Sequence, residues 1–183
     1  MIPGDLVGFA VGLFTFPGVL VHEFAHQVFC RLARVQVFQV NYLELDAGNR
    51  LGSVIHAQPK HAWQTFLISV APLFVNTTLG ALTGLPAAVV EFRYREVNWI
   101  LFWLAMSVAM HSFPSKPDAD QLWATICRRG TPWWLRIVGG PATLLIYVAL
   151  ALSPFWFDAF YAFGVVLGFA SLFSADAGRF LWM

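Results

Sequence analysis

The short motif His22-Glu23-Phe24-Ala25-His26 places two histidines and one glutamate within five residues. Positions i and i+4 lie on one face of a helix, so both imidazoles can reach a single metal ion. The glutamate is offset around the helix, where its carboxylate can act as general base on a metal-bound water. The motif therefore predicts a zinc site with His22 and His26 as ligands and Glu23 as the base.

The motif lies inside an apolar stretch, at about residues 6–32. The chain has 183 residues, of which 58% are hydrophobic and 11% charged, whereas an ordinary soluble domain is about 25% charged. Long, continuous apolar runs predict an α-helical integral membrane protein. Ionisable side chains at membrane depth are costly, and they are typical of functional sites. The net charge of +1 gives no electrostatic reason to expect a nucleic acid partner.

Five transmembrane helices are predicted. They lie at about residues 6–32, 62–82, 98–113, 133–152 and 155–173. The third is short for a bilayer, which needs about 20 residues, so we expect it to end as irregular backbone beside a cavity. We expect one domain, residues 1–183, in which residues 1–130 form a core and residues 131–183 form an additional helical hairpin.

The segment between the first two helices has a different character. Residues 35–45 are rich in β-branched side chains and partly alternating, residues 46–50 have the composition of a turn, and residues 52–56 fit a return strand. This pattern predicts a small membrane-associated β-hairpin at about residues 35–57. The alternative is a structured connecting loop without strands.

Basic residues predict how the chain is oriented in the cell membrane. The loops after the first and third helices, together with the chain end, carry Arg31, Arg34, Arg50, Lys60, Lys116, Arg128, Arg129 and Arg179. The loops on the opposite side carry only Arg93 and Arg95. We therefore expect the N-terminus outside, and the His-Glu motif buried but nearer the cytoplasmic face.

A third metal ligand is needed, because a catalytic zinc ion takes three protein ligands and keeps one position open. Residues 111–120 follow the third helix on the same side, and their prolines predict extended backbone that folds back toward the helices. Asp118 is the first choice as ligand, Asp120 the runner-up and His111 the third. The alternative for Asp118 is a cap of the segment 121–127, a role that fits Asp120 better.

Gly18-x-x-x-His22-Glu23-x-x-His26, followed two helices later by a Pro-rich segment with aspartate, resembles the site-2 protease family of intramembrane zinc metalloproteases. That family has a three-helix core with a membrane-associated sheet after the first helix, and the order of elements here is the same through Asp120. The resemblance implies zinc as cofactor, an aspartate as third ligand, and membrane proteins cleaved in or near transmembrane segments as substrates. The hairpin would then hold an unwound substrate by strand addition.

The chain departs from the family pattern at the third ligand. The family has Asp followed by Gly near an Asn-Pro pair, whereas this chain has Pro117-Asp118-Ala119. With no room for a PDZ or CBS module, and with a last helical hairpin outside the resemblance, it resembles a minimal or distant member. The alternative function is a non-proteolytic metal-binding membrane scaffold or regulatory protein. A small transporter ranks last, because no inverted repeat is evident.

Two smaller features support the site. The segment Ala71-Pro72-Leu73-Phe74-Val75-Asn76 is similar to a Gly-Pro-x-x-Asn element of the family's second core helix, with one extra residue and Ala for Gly. Asn76 is therefore a candidate for binding substrate backbone or the oxyanion, with an interhelical hydrogen bond as the alternative. Gly18 lies one turn before His22 and leaves space either for the metal or for helix packing.

Overall fold

The chain is mostly helical in the computed structural model, which describes residues 10–45, 51–89 and 95–173. The described elements are α1 (Phe16–Leu32), β1 (Val37–Leu45), β2 (Leu51–His56), α2 (Ala62–Val89), α3 (Arg95–Met110), α4 (Lys116–Cys127), α5 (Trp133–Leu152) and α6 (Phe157–Phe173). A 3-10 turn, Ser153–Phe155, joins the last two helices. The predicted helical architecture with one small sheet is confirmed, and each of the five predicted membrane helices corresponds to a helix.

The predicted β-hairpin is also confirmed. β1 and β2 pair antiparallel, with Val40 opposite Val54 and Asn41 opposite Ser53. The hydroxyl of Tyr42 donates a hydrogen bond of 3.0 Å to Gln27 Oε1, which attaches β1 to α1. The hairpin is thus fixed against the helix that carries the His-Glu motif. The predicted turn at residues 46–50 lies outside the described residues.

Helix α1 makes an unusually close contact with α3 at Gly18. The Gly18 N–H donates to Ser107 Oγ at 2.9 Å, and a Cβ added to Gly18 would lie only 2.0 Å from the Ser107 carbonyl oxygen. Any larger residue would force the two helices apart. Of the two roles considered for Gly18, the structure therefore shows helix packing and not space for the metal. This contact fixes the position of the His-Glu motif one turn later.

Two helices of the described residues are long and apolar enough to cross a membrane, namely Ala62–Pro86 and Trp133–Phe155. Shorter apolar helices cover Glu96–Met110 and Phe157–Leu172. Helix α1 has 17 residues, and residues 10–14, before Thr15, are also helical. Length and composition thus support a membrane location directly for two of the five predicted membrane helices.

Helix α4 corrects one prediction. Its residues were expected to be extended up to Asp120, yet the helix begins at Lys116, directly after Ser115. Pro117 lies in the first turn, where the missing N–H has no helical partner to lose. Asp118 accepts a hydrogen bond from the Ser115 N–H at 2.9 Å, so the spacing Ser-x-x-Asp starts the helix. The prolines did not prevent a helix because they precede or occupy only its first turn.

The apolar face of α4 packs into the helix bundle. Leu122 and Ile126 are buried against Val70 of α2 and Ile146 of α5. This packing, together with the cap at Ser115, fixes both the axial position and the rotation of α4. The first turn of α4 is thereby held beside α1.

Candidate metal centre

Three side chains with metal-binding atoms converge between α1 and α4. His22, His26 and Asp118 each offer one ligand atom, and these atoms all lie within 4.8 Å of one another. The two histidine Nε2 atoms are 3.2 Å apart, and Asp118 Oδ2 lies 3.6 Å from His26 Nε2. The structure thus brings together the two motif histidines and the first-choice third ligand.

Hydrogen bonds to main-chain carbonyls orient both imidazoles. His22 Nδ1 lies 2.7 Å from the His111 carbonyl oxygen, and His26 Nδ1 lies 3.0 Å from that of Ile68. A carbonyl oxygen only accepts, so both Nδ1 atoms must donate. In the neutral rings both Nε2 atoms then carry lone pairs. This arrangement of a ligand nitrogen with its other N–H bonded to a carbonyl is typical of metal-binding histidines.

The donor atoms suit a zinc ion. Zinc–nitrogen bonds of about 2.0–2.1 Å at a tetrahedral angle place two ligand nitrogens about 3.3 Å apart, close to the 3.2 Å between the Nε2 atoms. Two nitrogen lone pairs and a carboxylate oxygen face one another, and such acceptors repel unless a proton or a cation lies between them. Two histidines and one carboxylate also match a catalytic zinc set with a fourth position for water.

Ser115 holds the Asp118 carboxylate in place. Its N–H and its hydroxyl both donate to Asp118 Oδ2, at 2.9 and 2.5 Å. Burial by itself raises the pKa of Asp118, but the interactions with His26, Ser115 and His22 outweigh it and hold that pKa below its ordinary value. Asp118 is therefore a carboxylate, the form that coordinates a metal ion.

Glu23 lies beside this group in a cavity of about 650 Å³, which His22, His26 and Asp118 also line. The Glu23 side chain is buried, with 8% of its surface exposed. Strand β2 passes over it, because a Cβ added to Gly52 would lie 2.8 Å from Glu23 Cγ. Gly52 has φ +87°, a conformation that glycine adopts without strain. The carboxylate is thus enclosed between the metal-binding group and the sheet.

The remaining walls of this cavity add a third carboxylate. Asp158, at the start of α6, and Ser153 both line it, and the Ser153 hydroxyl donates to the Asp158 carboxylate. The described lining therefore contains Glu23, Asp118 and Asp158 but no lysine or arginine. We call this space the acidic cavity.

The other candidate ligands are engaged elsewhere. Asp120 is exposed and accepts hydrogen bonds from Lys116 at 2.8 Å and from Tyr147 at 2.7 Å. These two hydrogen bonds lower the pKa of Asp120. His111 directs its Nδ1 to the Ser107 carbonyl at 3.0 Å; its own carbonyl orients His22, and the residue lines the same cavity. The structure brings neither side chain into the metal-binding group.

Asn76 is fully buried between helices. Its Nδ2 donates to the carbonyls of Gly18 at 3.1 Å and Val108 at 3.2 Å, which joins α1, α2 and α3. Asn76 is not among the residues that line the acidic cavity. The structure thus shows the interhelical alternative, and it gives no support to a role in substrate binding.

Sequence reasoning missed three contributors to the cavity. Ser115 fixes Asp118, and the spacing Ser115-x-x-Asp118 is a capping signal that could have identified it. Gly52 lets β2 approach Glu23, and Asp158 adds a carboxylate from the last helix. No local sequence pattern identifies Gly52 or Asp158, because their roles depend on contacts between elements that are far apart in sequence.

Comparison of the chain with family models, with curated proteins and with solved structures finds no match.

Proposed function

We propose that the chain is an intramembrane zinc metalloprotease similar to the site-2 protease family, and that it hydrolyses peptide bonds in or near transmembrane segments. The observation that carries the proposal is the convergence of His22, His26 and Asp118 within 4.8 Å, with Glu23 in the same cavity. A base next to a three-ligand zinc set is the arrangement that hydrolytic zinc enzymes use.

Each residue has a separate role in this proposal. His22 and His26 hold the metal through Nε2, and Asp118 holds it through a carboxylate oxygen fixed by Ser115. Zinc supplies Lewis acidity, which makes water nucleophilic near neutral pH and polarises a carbonyl group. Glu23 accepts the proton of the attacking water and transfers it to the leaving amine. The position of Glu23 suits this task, because its side chain lines the same cavity as the metal-binding residues and a general base must lie within reach of the water that it deprotonates.

The membrane location is part of the proposal. The two candidate membrane-spanning helices support it, as do large apolar side chains on the outer surface of α5, where Ile137 and Leu144 are each 63% exposed. In water such a surface would be costly, whereas lipid tails would cover it. We propose that α1 and α3 also cross the membrane, with the N-terminus outside and the metal centre nearer the cytoplasmic face.

The hairpin supports a substrate that is held as an extended strand. One edge of β2 pairs with β1, and within the described residues no other strand pairs with β2. All six residues of β2, Leu51–His56, line the acidic cavity. An unwound membrane-protein segment could add to the second edge, which would bring its carbonyl groups next to the metal centre.

Substitution of Glu23 by Gln tests the proposed chemistry. The purified protein in detergent is incubated with a quenched fluorescent peptide library, and bound zinc is measured by mass spectrometry. Glu23→Gln should keep zinc near one ion per chain while hydrolysis falls by about 10²- to 10⁴-fold, the contribution of a general base. Hydrolysis at the wild-type rate would contradict the proposal. Zinc binding by the wild type without any hydrolysis would favour the non-proteolytic scaffold.

A further inference from the structure

A second cavity, of about 570 Å³, lies between the start of α2, the end of α4 and the start of α5. Its lining includes Lys60, Arg128 and Arg129, together with His61. The described lining contains no aspartate or glutamate. We call this space the basic cavity.

The three cations of the basic cavity are available to a ligand. Within the described residues, neither Lys60 nor Arg128 nor Arg129 forms an ion pair with an acidic side chain, and all three side chains are exposed. Arg136 adds a further positive charge nearby, since its guanidinium donates to the Arg128 carbonyl at 2.9 Å. Because Lys60, Arg128 and Arg129 line the same cavity, an anion bound there would be attracted by all three charges.

The basic cavity lies at one end of the two helices of the described residues that are long and apolar enough to cross a membrane. Ala62 and Trp63 begin α2, Trp134 and Leu135 lie in the first turn of α5, and all four residues line the cavity. The candidate membrane-spanning helices are Ala62–Pro86 and Trp133–Phe155. Their apolar surfaces therefore begin at the cavity, which places it at the boundary between lipid and water. The positive ends of the α2 and α5 dipoles point toward it, together with the negative end of α4.

The other lining residues fit the same boundary. Trp63 and Trp134 are 41% and 47% exposed, and tryptophan side chains are enriched at the level of lipid headgroups. Gln121, Thr125 and Thr131 add polar side chains to the wall. Cations, neutral hydrogen-bonding groups and indoles together match the surroundings of a lipid phosphate.

We propose that the basic cavity binds the phosphate of an anionic phospholipid. Lys60, Arg128 and Arg129 contact the phosphate oxygens, and the acyl chains extend along the apolar surfaces of α2 and α5. This site is separate from the proposed proteolysis, and it requires only that the chain lies in a membrane. It would favour one depth and one orientation of the bundle in a bilayer that contains acidic lipids.

A lipid titration tests this site on the full chain. The purified protein in detergent is titrated with dihexanoyl phosphatidylglycerol, with dihexanoyl phosphatidylcholine or with sodium phosphate, and the melting temperature is followed by circular dichroism. We expect phosphatidylglycerol to raise the melting temperature more than phosphatidylcholine does, because both lipids carry the phosphodiester but the choline cation is repelled by the cations of the cavity. The double variant Arg128→Gln/Arg129→Gln should bind phosphatidylglycerol on the order of ten-fold more weakly, and Arg128→Lys/Arg129→Lys should restore most of the binding.

The matched control is Arg31→Gln/Arg34→Gln, which removes the same charge from two exposed residues outside the basic cavity. It should respond to phosphatidylglycerol like the wild type. Equal weakening by both double variants, or an equal response to sodium phosphate, would overturn the lipid site. Lys60→Gln provides a second, independent variant of an exposed residue. Zinc content, measured for every variant, separates failure of this site from failure of the metal centre.

Discussion

The two ends of α4 face two cavities of similar size and opposite charge. Asp118, in the first turn, lines the acidic cavity of about 650 Å³, and Arg128, directly after the last turn, lines the basic cavity of about 570 Å³. The described lining of the first contains carboxylates and histidines without lysine or arginine, and that of the second contains cations without carboxylates. One short helix thus separates a site suited to a cation from a site suited to an anion.

The two cavities also differ in how firmly their charged groups are held. In the acidic cavity, His22, His26 and Asp118 each have a hydrogen-bond partner that fixes their direction. In the basic cavity, Arg128 and Arg129 are exposed, and within the described residues neither side chain forms an ion pair with an acidic group. Fixed ligands suit a metal ion, which requires defined bond lengths and angles. Flexible cations suit a lipid headgroup, which has no single geometry.

The difference between the two cavities is tested most directly at Asp118. Asp118→Asn keeps an oxygen that can accept from Ser115 but removes the anionic ligand, so we expect zinc affinity to fall by more than about a hundred-fold. Zinc affinity is measured by competition with a chelator. The matched control is Asp120→Asn, two residues away on the same helix, where the carboxylate accepts hydrogen bonds from Lys116 and Tyr147.

Asp120→Asn should leave zinc affinity unchanged. If both variants lost zinc equally, the effect would come from the helix and not from a ligand. If Asp118→Asn kept wild-type zinc affinity, Asp118 would not be the third ligand, and the acidic cavity would have no carboxylate ligand for a metal ion at this position.

Local patterns were enough to predict much of the metal centre. The i, i+4 spacing places His22 and His26 on one face of α1, and this spacing is a property of any helix. Alternation and turn composition predicted the hairpin, because both signals lie within about 20 residues of sequence. The choice of Asp118 over Asp120 was also made from sequence, and the structure brings Asp118 to the histidines.

Features that depend on distant packing were not predicted. Helix α4 begins earlier than its prolines predict, because the capping pair Ser115 and Asp118 starts it at Lys116. The Asn76 amide is hydrogen-bonded to α1 and α3 and does not face the cavity. Which of these two directions the side chain takes depends on how α2 is rotated about its axis, and that rotation is set by packing. The basic cavity joins the starts of α2 and α5, which are 71 residues apart between Ala62 and Trp133. No sequence pattern shows that these helix starts meet.

Two glycines with similar backbone conformations allow a sharper comparison of the cavities. Gly52, at φ +87°, has Glu23 Cγ 2.8 Å from the position of an added Cβ, whereas Gly130, at φ +90°, has nothing within 4 Å of that position. Gly130→Ala should cost about 1–2 kcal/mol of unfolding free energy through backbone strain alone. Gly52→Ala should cost the same strain and also displace Glu23 or β2, so peptide hydrolysis should fall strongly while zinc is retained.

Urea unfolding in detergent and the peptide-library assay measure these two effects separately. Equal losses of stability with unchanged hydrolysis in both variants would contradict the close contact between β2 and Glu23. Loss of hydrolysis in Gly130→Ala alone would show that the basic cavity controls the reaction more than the strand does.

Gln121 lines both cavities. Substitutions there have the smallest expected effects, but they distinguish the two sites most clearly. Gln121→Lys should weaken zinc binding and strengthen the response to phosphatidylglycerol, and Gln121→Glu should do the opposite. We expect each change on the order of two- to five-fold, since the side chain is partly exposed and solvent screens the added charge. Gln121→Met is the neutral control for lost hydrogen bonding. Opposite shifts in the two affinities require electrostatics, because a general distortion of α4 would weaken both sites together.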